Sequence, residues 1–160
     1  MEFHGFYSLA WMMTVASGLM SGIYLTFSII IMRSLALLES SQGINAMNAI
    51  NQEIVKTGFM PLFFGSTIVA LLMAIFGIWQ WKEPGAGLAI AAGLIYAIGM
   101  FFVTAVFNVP LNNLLDQVIG DGQEATATWQ HYLSVWTRWN TVRAIACAIT
   151  MVICMALLTV

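Results

Sequence analysis

Apolar residues run almost unbroken through four stretches of this chain, about Ala10 to Met32, Thr57 to Trp79, Gly85 to Val109 and Ala144 to Val160. Each approaches the ~20 residues a helix needs to cross a ~30 Å hydrocarbon core. Strands of a membrane barrel would alternate apolar and polar positions over about ten residues, whereas these runs are continuous. The pattern therefore predicts an all-α fold, an integral membrane four-helix bundle in one transmembrane domain over 1–160.

The polar positions say how the spans are extended and joined. No proline interrupts the first helix, which is drawn over about 5–38, and helical spacing in the last begins near 126 and runs to 160. Both outrun the membrane on the side of the two long connections. There they are expected to build a small polar and aromatic cap. The middle spans are drawn over about 57–81 and 85–107. Between the first two spans, Ile44, Met47, Ile50 and Ile54 recur at helical spacing with Asn45, Asn48, Asn51 and Gln52 among them, which predicts an amphipathic helix over about 43–56. After the third span, Asn108 is a plausible cap and Pro110 suits a first helical turn, so a short separate helix is expected over about 110–119. Gly120-Asp121-Gly122 breaks it.

Composition strengthens the membrane reading. The chain of 160 residues is 61% hydrophobic and only 8% charged, too apolar for a soluble domain of this length. The lipid bilayer is thus the first partner, and no basic patch suggests nucleic acid. The start, Met1-Glu2-Phe3-His4, lacks the basic region of a secretory leader, so the first helix is expected to persist as a span. An even number of spans puts both termini on one side. By Lys and Arg count the connection side, with Arg33, Lys56, Arg138 and Arg143 against Lys82, is the cytoplasmic one. Small residues at Thr14, Gly18 and Gly22, with Ser17 and Ser21 beside them, and again at Gly93 and Ala97, would let helices approach closely. They permit a homo-oligomer without requiring one. Cys147 and Cys154 sit two helical turns apart, too far to pair with each other, and read as small packing residues.

Candidate chemistry concentrates in the cap. Trp129, Tyr132, Trp136, Asn140 and Arg143 fall within roughly 80° of one another at about 100° per residue. With Asn108, Asn112 and Asp116 from the preceding connection, and Asn51 or Glu53 from the first, they outline a pocket. Each taken alone has a plainer role: aromatics anchor at membrane interfaces, an arginine snorkels, and asparagines cap helices. Together, with a guanidinium on the aromatic face, they suggest a binding site. Metal ligands are scarce. His4 lies at the terminus and His131 projects away from the stripe, so no metal set can be assembled and no cofactor is evident, although a haem held by either histidine is left open.

The turn Asn108-Val-Pro-Leu-Asn112, followed by Trp129, Trp136, Asn140 and Arg143, resembles the signature of the anthrone oxygenase-like family of small four-helix membrane proteins. Gly22-Ile-Tyr-Leu-Thr-Phe27, Met47 and Asn51 extend the likeness over most of the chain. The resemblance implies an oxygenase or other redox protein acting on a hydrophobic aromatic, anthrone-like or quinone-like molecule, in the plasma membrane of a bacterium. It implies a slot made by Trp129, Tyr132 and Trp136 with Asn108 and Asn51 contacting substrate, an oxyanion held by Arg143, Asn112 and Asn140, and Asp116 as base. The competing expectation is a non-catalytic membrane protein that binds a small molecule or a partner. No acidic residue or histidine stands near the middle of a span, which argues against a proton-coupled carrier.

Overall fold

The computed structural model describes residues 5–160, with side chains from Tyr7 onward. His4, one of the two histidines considered as a ligand, lies outside the described residues. Among the described residues the helical segments join into five helices, and there is no strand. Four are long and apolar enough to span a membrane: α1 (Tyr7–Leu35), α3 (Phe59–Trp79), α4 (Ala86–Asp116) and α5 (Gln123–Leu157). The remaining helix, α2 (Ser40–Ile54), packs against α5 and the Val109–Asp116 end of α4. The chain is an integral membrane helical bundle.

The outward faces suit lipid and not water. Val15, Leu19, Ile29, Ile68, Ile75, Ile98, Ile145 and Val152 are all exposed, an arrangement that a soluble bundle would not tolerate. Trp11, Trp79 and Trp81 are exposed toward the other end, where indole rings anchor at a headgroup layer. Inside, helices meet through small residues. A Cβ added to Gly93 would lie 2.4 Å from the Ala70 carbonyl oxygen, and one added to Gly99 would lie 2.5 Å from the Ala146 methyl. Backbones of α3, α4 and α5 thus touch where only glycine fits. Gly18 packs near the Met151 sulfur, whereas a side chain at Gly22 would meet nothing, so of the two α1 glycines only the first serves close packing. Gly93→Val is expected to lower the thermal midpoint in mild detergent by several degrees or to abolish folding, because the clash is with backbone and cannot be relieved by a rotamer change. A midpoint equal to that of the parent protein would contradict this packing.

Two apolar cores result. The larger lies within the bundle around Met13, Met20, Met73, Tyr96, Met100 and Cys147. The smaller lies in the cap, where Met32, Leu35, Ile44, Met47 and Leu115 surround Trp129, Tyr132 and Trp136. Buried polar residues Ser28, Asn108, Asn140 and Arg143 belong to neither and mark the seam between them.

The third span departs from the expected break. Instead of ending near 107 and restarting at Pro110, α4 continues as one helix to Asp116. Two π-helical segments precede the proline, Ala97–Phe102 and Thr104–Asn108, in which Val103 N–H reaches the Ile98 carbonyl and Val109 N–H the Thr104 carbonyl. Such wide turns re-partner carbonyls near a proline that donates nothing, so the helix survives it. Asn108 is consequently not a cap. Its backbone is helical and its side chain is free to cross to α5. A third π-helical segment, Phe27–Ile31, lies in α1. All three occur at the level of the seam, and wide turns of this kind gather at functional sites.

Candidate functional site

A cavity of about 310 Å³ opens at the seam, lined by α1, α2, α3, α4 and α5. That volume is at the lower end of the range for small-molecule sites. Its walls are aromatic: Phe27, Phe59, Phe63, Phe64 and Phe101, with Trp136. Phe63 lies 5.5 Å from Phe101 and 5.9 Å from Phe59, centroid to centroid. Its polar lining consists of Tyr24, Asn51, Thr104, Asn112, Asn140 and Arg143.

Arg143 dominates the polar end. It is only 6% exposed, and its guanidinium sits 4.3 Å from the centroid of the Tyr24 ring and 5.4 Å from that of Trp136. Nη1 donates to Thr104 Oγ1 at 3.1 Å and Nη2 to Asn140 Oδ1 at 2.6 Å, while Nε has no partner. Two of the five guanidinium N–H groups are thereby held, and no carboxylate pairs with it among the described residues. A full positive charge is fixed in an apolar surround by dipoles and ring faces alone.

Asn140, wholly buried, explains why the guanidinium stays put. Its Nδ2 donates to the Tyr24 carbonyl at 2.6 Å and to Ser28 Oγ at 2.7 Å, and its Oδ1 accepts from Arg143. Both ends of the amide are therefore used, and Asn140 ties α5 to α1 while orienting Arg143. Asn112 is arranged differently. Tyr132 Oη and Trp136 Nε1 both donate to its Oδ1 at 2.8 Å. Two donors on one oxygen fix the amide so that its N–H₂ end remains for the cavity that Asn112 lines.

The other expected site residues divide. Trp129, Tyr132 and Trp136 form a stacked column with successive centroids 5.8 Å apart, but only Trp136 reaches the cavity wall. Trp129 is packed against Gly43, where an added Cβ would lie 2.6 Å from the indole. The column is thus the core of the cap, and Trp129 and Tyr132 support the site from behind. Asn108 is buried away from the cavity, with Nδ2 donating to the Trp136 carbonyl at 3.2 Å. Asn51 lines the cavity, whereas Glu53 is exposed and paired with Lys56 at 2.7 Å. Asp116 is exposed and not part of the lining; it stands one turn past Asn112, at the end of α4. His131 is likewise exposed and outside the lining. No group of three His, Cys, Asp or Glu residues capable of holding a metal occurs among the described residues.

Sequence reasoning did not find Thr104 or Ser28, nor did it place the phenylalanine wall. Tyr24 appeared only within a longer motif. It is 3% exposed, and its hydroxyl interacts with Thr104 and Arg143 in the cavity that both of them line.

Fold and site together define a membrane helical bundle with an aromatic-walled cavity ending in a buried, unpaired cation. Residues 53–153 match the family model described as anthrone oxygenase, and the chain belongs to that family. No curated protein and no solved structure matches it. The matched region supplies Arg143, Asn140, Asn112, Trp136 and the α3 and α4 walls. Tyr24, Phe27, Ser28, Met47 and Asn51 lie before it.

Proposed function

We propose that the cavity takes up a planar, lipid-soluble anthrone-like molecule as its enol or enolate and promotes its reaction with dioxygen to the quinone. The observation that carries this reading is Arg143, a cation buried at the end of an aromatic slot with no carboxylate beside it. A bound enolate supplies the missing negative charge. Because the cavity lining contains no Asp, Glu or His among the described residues, the residues act by stabilising the ionised oxygen and not by abstracting a proton. Arg143 and the Asn112 amide N–H groups hold that oxygen, and Phe63, Phe101 and Trp136 flank the ring system.

The chemistry balances without a further reductant. Loss of one methylene proton gives the electron-rich enolate, which passes an electron to dioxygen, and recombination forms a carbon–oxygen bond. A returning proton gives the hydroperoxide. The second methylene hydrogen then leaves as a proton and the distal oxygen leaves as hydroxide, forming water and the new carbonyl. One anthrone and one dioxygen yield one anthraquinone and one water.

The test is oxygen uptake and quinone formation from anthrone by the protein in liposomes, against protein-free liposomes that report uncatalysed oxidation. One quinone per dioxygen, at a rate proportional to protein, is expected. Asn112→Asp keeps an acceptor for Tyr132 and Trp136 but replaces the N–H donors with a negative oxygen, so kcat/KM should fall by about 10²-fold with the thermal midpoint little changed. Rates equal to those of protein-free liposomes would overturn the oxygenase reading. Saturable anthrone binding without oxygen uptake would make the protein a binder.

A further inference from the structure

We infer that the cavity is loaded sideways from the hydrocarbon phase, through a mouth between the first turns of α3 and the second half of α4, and that substrate enters oxygen-first. This rests on the reading of the cavity as the anthrone site.

Two facing stripes carry the argument. Phe101, Ala105 and Val109 repeat every fourth residue on α4, and Met60 and Phe64 do the same on α3. All five line the cavity. A residue on the wall of an enclosed cavity would be hidden, yet Phe64 is 49% exposed, Val109 is 42% exposed and Ala105 is exposed as well. They face the cavity and the outside at once, which is the position of a rim. The rim exists because the helices diverge. α3 packs closely on Ala86–Tyr96 and less on Ala97–Phe102, and it scarcely touches Thr104–Asp116. Divergence begins where the π-helical turns widen α4.

Chemistry at the rim says what passes through it. None of the five residues is charged or carries a hydrogen-bonding side chain, so the mouth suits hydrocarbon and offers nothing to water. Phe64 lies only five residues into α3, about 7.5 Å along its axis, which puts the opening in the outer part of the apolar layer on the cap side. Toward the cap itself, α2 covers the cavity with Met47, Asn51 and Ile54, and Met47 is 1% exposed. The apolar Val55 just after α2 also lines the cavity, at 55% exposure, and extends the rim to the connection before α3. A ring system dissolved in that leaflet therefore meets Phe64 and Phe101 first, with ring centroids 6.3 Å apart. Only its leading edge reaches Arg143. An oxygen on that edge is captured, and the trailing rings remain among phenylalanines.

The test uses binding kinetics, so that it does not depend on turnover. The probe is 1-hydroxyanthraquinone, a planar phenol already oxidised, followed by stopped-flow quenching of tryptophan fluorescence in nanodiscs. Ala105→Phe narrows the mouth and should slow association and dissociation alike, by about tenfold or more, with Kd changed less than about threefold. Phe64→Ala widens it and should speed both; this variant keeps the test available if Ala105→Phe does not fold. Unchanged rates in Phe64→Ala, together with faster binding in Ile54→Ala on the cap side, would overturn lateral entry in favour of a route from water. Failure of the site reading looks different: the parent protein would show no saturable quenching, or Arg143→Gln would bind the probe as tightly as the parent.

Discussion

Arg143→Gln is expected to lower kcat/KM for anthrone by about 10²–10³-fold, the usual cost of losing the main donor to a developing oxyanion, while the protein folds as well as before or better. The second half of that expectation distinguishes a functional arginine from a structural one. A charge buried without a carboxylate opposes folding, and the neutral amide removes that penalty. The thermal midpoint of the unliganded variant should thus equal or exceed that of the parent. Arg143→Lys should not restore turnover, since an ammonium reproduces neither the planar fork toward Thr104 and Asn140 nor the stacking on Tyr24. A large drop in the midpoint with activity retained would assign Arg143 to the scaffold.

The second large effect belongs to Asn140. Asn140→Leu removes three hydrogen bonds at a fully buried position and leaves the Ser28 hydroxyl and the Arg143 guanidinium each short of a partner. The expected loss of stability is on the order of 3 kcal/mol or more, read from denaturant unfolding in detergent, with turnover lost as Arg143 swings free. Asn140→Asp separates the two roles. Its carboxylate still accepts from Arg143 and now neutralises it, so the protein should be more stable than the Leu variant yet remain inactive toward an enolate, which no longer meets a free positive charge. Activity in Asn140→Asp close to that of the parent would show that the unpaired charge is not what the site uses.

Spans, cap and aromatic stripe were legible because each depends on periodicity along a single helix. Continuous apolar runs define spans, and the 3.6-residue repeat puts Trp129, Tyr132, Trp136, Asn140 and Arg143 on one face however the rest folds. Depth was not legible. Trp129 and Trp136 share a face, but only the position of α2, with Gly43 tight against Trp129, decides that one is cap core and the other cavity wall. Asp116 was drawn in by its spacing from Asn112, and it does lie one turn further along the same helix, but the cavity ends short of that turn and the carboxylate is exposed. The phenylalanine wall was invisible for a different reason. In a membrane protein a phenylalanine facing lipid and one facing a cavity have the same neighbours in sequence, and nothing in hydropathy tells them apart.

The π-helical turns give the site a dependence on chain length. Each holds one residue more than an α-helix needs for the same bonding pattern, and one residue is about 100° of rotation. Deleting a single position between Ala97 and Phe102 would remove that surplus and let α4 relax to a plain α-helix with Thr104, Asn108 and Asn112 kept near their present faces. The same deletion within the α-helical stretch Ala86–Tyr96 would instead turn the whole cap-side half and carry all three off the seam together. Across the family, a one-residue gap aligned with a π-helical turn would therefore be compatible with an intact cavity, while the same gap in the α-helical half of the span would report a rebuilt one.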